Sequence, residues 1–258
     1  MVEFVIVAED RSDAAIARDL ADRVFYEDGP AWMRETDLGW FNENILPGLR
    51  MWDGLESGTE FTRWDKLKDL SKRFPKLKFL VSPVGKGKKY DYGPARRAIQ
   101  LAALLRSEAK ESIPDAIVLI RDLDSQEERR QSLMDARDHE KTSMKVVLAT
   151  PNCKYEAWVL NGFYPADERE KSELERVVQE LGFDLCSQAE RLRFSSGTSC
   201  SERNPKEIVS CLTNDDYDRE KQCWLETSLA ILRQRGENTY LRHYLDEVQE
   251  RLLPLLLQ

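Results

Sequence analysis

Glu9 and Asp13 stand four positions apart, and Asp122 and Asp124 stand two apart. Four positions make about one helical turn and two positions are the repeat of an extended chain, so either spacing turns a pair of carboxylates the same way. Carboxylates gathered at one place repel each other. A hard divalent cation with oxygen ligands, Mg2+ or Mn2+, relieves that repulsion. Glu128 follows Asp124 as Asp13 follows Glu9, and Glu156 is a further candidate ligand. Asp13 and Glu128 suit a second reading equally well, because acids in the first turn of a helix are stabilised by its dipole. Lys86, Lys88 and Lys89 lie on a glycine-punctuated segment, with Arg96 and Arg97 close behind. Glycine lets backbone approach a phosphate, and lysine and arginine supply the charge, so these five residues are candidates for contacting a nucleic-acid backbone. The spacing is not that of a nucleotide-binding P-loop. Lys206 is suited either to offsetting charge on a phosphate or to an ordinary place in the first turn of a helix.

The elements that must position these groups are legible in outline. Phe4–Ala8, Leu77–Val81, Ala116–Ile120 and Lys145–Ala149 are short apolar runs rich in β-branched residues, as expected of strands buried on both faces. Helices are predicted at Ser12 onward, with Ser12 as N-cap, at Ala95–Glu111 and at Ser125–Lys141. Strands alternating with helices give an α/β fold: a parallel sheet of about four strands with flanking helices over residues 1–150. In such sheets ligands bind beyond the carboxyl ends of the strands, where Glu9, Asp122 and Asp124 fall. Residues 28–76 break the rhythm. They hold Trp32, Trp40, Trp52 and Trp64 and are too long for an ordinary connection, so they read as a Trp-rich insertion with its own small helices. Residues 151–258 read as a helical C-terminal part, with helices at Tyr155–Gly162, Arg169–Leu181, Pro205–Leu212, Asp218–Arg233 and Thr239–Leu253. Trp158 is expected in the core.

The net charge of −8 excludes a protein that coats nucleic acid by bulk charge alone, though not an enzyme that holds it through metal and a local basic strip. Five cysteines without a C-x-x-C pair, and only His139 and His243, argue against zinc and for reduced thiols. No apolar run approaches a membrane span and no signal-peptide pattern is present, so a cytoplasmic protein is expected.

Val7-Ala8-Glu9-Asp10-Arg11-Ser12-Asp13 resembles the strand-one motif of Toprim domains, a Glu followed four residues later by an Asp. Asp122-Leu123-Asp124 resembles their D-x-D on strand three. Within that family the chain is most similar to stand-alone nucleases related to the OLD (overcoming lysogenization defect) proteins. Pro83–Lys89 resembles their Gly/Lys loop, Pro151–Trp158 their P-x-x-x-x-E-x-W segment, and Asn204-Pro205-Lys206 a P-K motif in their helical part. Asp10 departs from the pattern, since family members commonly have Gly after the first Glu. The long insertion departs as well. The resemblance implies an endonuclease for DNA or RNA, placed beside an ATPase in bacterial anti-phage defence. It implies two Mg2+ or Mn2+ ions held by Glu9, Asp13, Asp122 and Asp124, with Lys86 or Lys206 stabilising the transition state. A different class is an interaction subunit, latent or non-catalytic, governed by a partner ATPase. The insertion and the C-terminal helices would then be docking surfaces, and net acidity favours it.

Two expectations concern apolar side chains. The four tryptophans of the insertion either pack onto the sheet or expose an aromatic patch for a partner or for unpaired bases; burial of all four would eliminate the patch. Leu241, Leu245, Val248 and Leu252 fall on one helix face, Pro254 breaks that helix, and the leucines after it must dock. They dock on the chain's own helical part or, through a homo-oligomer, on a second copy.

Overall fold

Five parallel strands form the sheet: β1 (Val2–Ala8), β2 (Arg50–Asp53), β3 (Thr62–Arg63), β4 (Ala116–Ile120) and β5 (Lys145–Ala149). The order is β2-β1-β4-β5, and β3 also pairs with β1, Val7 opposite Thr62. The structure, a computed structural model, describes residues 1–75, 91–109, 111–193 and 203–258. The expected strand at Leu77–Val81 lies outside the described residues, as do Lys86, Lys88 and Lys89. The chain divides into a sheet unit, Met1–Arg121 with Glu127–Ala149 and Asp246–Gln258, and a helical unit, Asp122–Gln126 with Thr150–Leu245.

In the sheet unit, the continuous apolar runs are explained by cover on both faces. Val5, Val7, Ile117, Leu119, Val146 and Leu148 share a core with helices α3 (Tyr92–Ala109) and α4 (Glu127–His139) and with Leu67 of α2 (Leu67–Ser71). Phe4 faces the other way, against Phe25 of α1 (Arg11–Asp28). All five side chains of β4 are buried, and each Ile, Val or Leu contributes roughly 1.5–3 kcal/mol by leaving water.

The insertion is more than a set of small helices, because it supplies β2 and β3. Two tryptophans fasten it. Trp52 packs on Phe4 and donates its indole N–H to Asp22, which also accepts from Arg50. Burial pushes the Asp22 carboxyl up to about 6 despite Arg50. Trp64 donates to the Ile120 carbonyl at 2.7 Å. Gly54 follows β2 because a Cβ there would lie 2.2 Å from Thr59 Oγ1. The other two rings stay in solvent, Trp32 at 42% and Trp40 at 48% exposure, so the condition that would eliminate an aromatic patch is not met.

The N-cap of α1 is Asp10, not Ser12. Its carboxylate accepts from the Ser12 and Asp13 amides, and Asp13 reciprocates by accepting from the Asp10 amide at 3.3 Å. Asp10 therefore has a positive reason to stand where relatives of the resembled family carry Gly.

In the helical unit, α5 (Tyr155–Gly162) packs against α7 (Pro205–Thr213), α8 (Tyr217–Glu226) and α9 (Leu229–Arg235), and α6 (Glu168–Leu181) packs on α7. Trp158 is fully buried as expected, stacked on Tyr244 and donating to the Thr239 carbonyl. At Gly162 a Cβ would lie 2.0 Å from the Cys223 carbonyl, so only glycine lets α8 approach this closely. The single helix expected at Asp218–Arg233 is two, α8 and α9, because Ser228 caps α9 through the Ile231 amide. Cys153, Cys186 and Cys223 are free and buried, but Cys211 is disulfide-bonded, which corrects the expectation of wholly reduced thiols.

The last helix, α10 (Leu241–Arg251), buries Leu241, Leu245, Val248 and Leu252 as its spacing predicts. Within the sheet unit, Glu247 accepts from the Leu148 amide and from Arg137, covering part of the outer edge of β5. Beyond it, residues Leu253–Leu257 form a 3-10 turn with Leu253 and Leu256 buried. The tail thus docks within its own chain and belongs to the sheet unit rather than the helical part. Deleting residues 253–258 is expected to lower the Tm by at least several degrees, since about 1 kcal/mol shifts Tm by roughly 2–4 °C at this size. Light scattering should show an unchanged mass; an unchanged Tm would mean the tail contributes nothing.

Candidate functional site

In the helical unit, the turn after β4 carries Asp122 and Asp124. It is not extended: Asp124 and Ser125 take φ values of 48° and 60°. Asp is among the residues that tolerate this region. The turn is held by the Leu123 amide donating to Pro151 and the Asp124 amide donating to Cys153. Both carboxylates nevertheless meet at one cation. Lys154 Nζ lies 3.1 Å from Asp122 Oδ2 and 3.3 Å from Asp124 Oδ1. Asp122 is buried and also accepts from the Tyr155 amide, the first of α5. Burial opposes the Lys154 charge, but Asp122 and then Asp124 outweigh it, so the ammonium is held more tightly than an ordinary lysine.

Glu156 sits one helical position beyond Tyr155 and is only 4% exposed. Its Oε2 has no hydrogen-bond partner among the described residues. Burial is the largest influence and pushes the carboxyl up to about 7, against the pull of its own backbone amide, Lys154 and Lys206. Lys206 is exposed on the first turn of α7, which Asn204 caps. Asp122, Asp124, Lys154, Glu156 and Lys206 therefore form one electrostatic group.

In the sheet unit, Glu9 pairs with Arg121 at 2.8 Å. Arg121 and Arg129 also flank buried Asp91, at 3.3 and 3.6 Å, and the Arg121 guanidinium lies over the Trp64 ring. Asp13 is buried as the cap partner of Asp10. Glu128 is exposed in the first turn of α4, the position the helix dipole favours. Arg96 is buried, paired with Glu140 and stacked on Tyr92, so it is placed for structure rather than for tracking a backbone; Arg97 is half-buried. His139 and His243 are exposed.

Among the described residues no group of three or more His, Cys, Asp or Glu side chains is arranged to hold a metal ion. Asp122 and Asp124 remain as a two-carboxylate donor set that already holds a positive charge. That suits one hard divalent ion, which commonly takes one or two carboxylates and completes its shell with water and substrate phosphate.

No family model, curated protein or solved structure matches the chain. Three residues that matter here had no signal in the sequence: Lys154, Arg121 and Arg129. Lys154 lies inside a motif that was noticed for its Glu and Trp, and its partnership with residues some thirty positions earlier exists only in three dimensions. No helix is long and apolar enough to cross a membrane among the described residues.

Proposed function

We propose that the chain is a Toprim-type nuclease that depends on a divalent metal and cleaves phosphodiester bonds in DNA or RNA. It would act in the cytoplasm beside a partner ATPase in anti-phage defence. One observation supports this most: Asp122 and Asp124 converge on a single cation in the turn that follows the carboxyl end of the interior strand β4 in the chain. When bound, Mg2+ or Mn2+ supplies Lewis-acid polarisation of the phosphodiester and a water of lowered pKa. Asp122 and Asp124 would hold the ion, and Lys154, displaced from them, would present its ammonium to the anionic substrate. Lys206 would offset charge developing on the phosphate. Glu9, Asp13 and a second ion enter through the family resemblance alone, as does Lys86.

Purified protein should cleave plasmid, single-stranded DNA or total RNA with Mg2+ or Mn2+ and not with EDTA. Asp122→Asn, Asp124→Asn and Glu9→Gln are each expected to slow cleavage on the order of 100-fold or more, since even outer-shell changes at metal sites cost 10–100-fold. Cleavage at the wild-type rate in all three variants, or in EDTA, would refute the reading.

A latent interaction subunit is the second reading, and a separate observation favours it. Trp32 and Trp40 are exposed on a stretch with Glu27, Asp28, Glu35, Asp37 and Glu43 against the single Arg34. That surface repels nucleic acid and suits a protein partner. Trp32→Ser with Trp40→Ser is expected to weaken binding of the partner ATPase by at least tenfold, as exposed aromatic anchors at interfaces do. Activity on naked nucleic acid should be unchanged. Unaltered ATPase affinity would remove the insertion from the interface.

A further inference from the structure

Apart from the carboxylates, the helical unit contains a cavity of about 410 Å3 between the end of α5, the loop after it, and α8 and α9. Tyr164, Ala166, Gln222, Glu226 and Ile231 are among the residues that line it. Three features give it a sign. Glu226 is the last residue of α8, where the helix carbonyls already concentrate negative charge, and α8 has no basic residue in its last turn to answer them. Glu226 makes no ion pair among the described residues. The Tyr164 ring is 47% exposed and already attracts one guanidinium, Arg235, 4.2 Å from its centroid.

Two guanidiniums lie near this cavity, and both are held by other partners. Arg235 donates to the Asn161 and Phe163 carbonyls. Arg219 is tied in a two-pronged pair to Glu170, with Nε to Oε1 and Nη2 to Oε2 both at 2.9 Å, and it also donates to the Tyr164 carbonyl. Burial pushes the Cys223 thiol up to about 12, so the cavity holds a neutral thiol and no thiolate nucleophile. An acid placed at the unfavourable end of a helix, beside an exposed aromatic ring and an open cavity, is arranged as a receptor for positive charge.

We propose that this cavity binds an alkylammonium or guanidinium group, with Glu226 as its counter-ion and Tyr164 as its aromatic wall. The group belongs either to a free small cation or to a Lys or Arg side chain of a partner polypeptide. Calorimetric titration of the full chain should use spermidine, N-acetyl-arginine amide, the peptide Ala-Ala-Arg-Ala-Ala, and N-acetyl-aspartate amide as an anionic control. Saturable binding of a cationic probe is expected, with none for the control. Glu226→Gln should weaken it at least tenfold, and so should Ala166→Trp, which fills the mouth from an exposed position; circular dichroism should show both variants folded. Binding of the small cations as tight as the peptide assigns a free cation, and binding of the peptide alone assigns a polypeptide side chain. No saturable binding of any cationic probe overturns the proposal. So does binding undiminished in either variant, or equal binding of the anion.

Discussion

Lys154→Met is expected to destabilise the metal-free protein by about 3 kcal/mol, because removing one partner of a buried ion pair is strongly destabilising. Asp122 is the other partner, with a side chain only 7% exposed. Methionine keeps the length and packing of the lysine stem and removes only the ammonium. The Tyr155 amide still donates to Asp122 in the variant, so the change removes the ammonium and leaves that hydrogen bond in place. Two carboxylates left facing each other should then take a divalent ion more readily than the wild type, where Lys154 competes for them. Mn2+ should accordingly restore most of the lost stability in Lys154→Met and raise the wild-type Tm less. Thermal melts of both proteins with Mn2+ and with EDTA check this. A variant as stable as wild type in EDTA would show that Lys154 does not neutralise the pair.

Glu156→Gln is expected to change how stability depends on pH. The folded carboxyl titrates near 7 and its ordinary value is 4.5, so the folded chain holds this proton more tightly than the unfolded chain. A raised pKa contributes stability that is fully present below about 4.5 and is lost as pH rises through 7. The loss is about 3 kcal/mol, from roughly 1.4 kcal/mol per pKa unit. Glutamine cannot ionise. It also leaves a buried amide short of partners, but that cost of about 1–3 kcal/mol is the same at every pH. The stability difference between variant and wild type should therefore move in favour of the variant by about 3 kcal/mol between pH 4 and pH 8. Urea unfolding at these two pH values measures it, and a difference that stays constant would mean Glu156 is not protonated by burial.

The interior of the sheet was legible because β1, β4 and β5 are buried on both faces and so read as unbroken apolar runs. β2 and β3 were not. Arg50-Met51-Trp52-Asp53 and Thr62-Arg63 have no such run, and β2 is fastened by Asp22 and Arg106, charges distant in sequence. Periodicity cannot register a strand whose partners are ion pairs. The cap of α1 was misplaced by two positions because Asp10 and Ser12 are both good capping residues, and only the reciprocal bond from Asp13 decides between them. At the site, Asp122 and Asp124 were found from their spacing, although the turn that joins them is left-handed rather than extended. Glu156 was found by its place at the start of a helix, whereas the lack of a hydrogen-bond partner for its Oε2 among the described residues depends on what surrounds it. The tryptophans show the same limit: Trp52 and Trp64 anchor the insertion, Trp32 and Trp40 face water, and residue type alone does not separate them.

Calorimetric titration of Mn2+ into wild type, Lys154→Met and the Asp122→Asn/Asp124→Asn double variant tests the metal reading most directly. The expected result is saturable binding at Asp122 and Asp124 in the wild type, tighter binding in Lys154→Met and none in the double variant. No saturable heat in the wild type and Lys154→Met, or undiminished binding in the double variant, would contradict it.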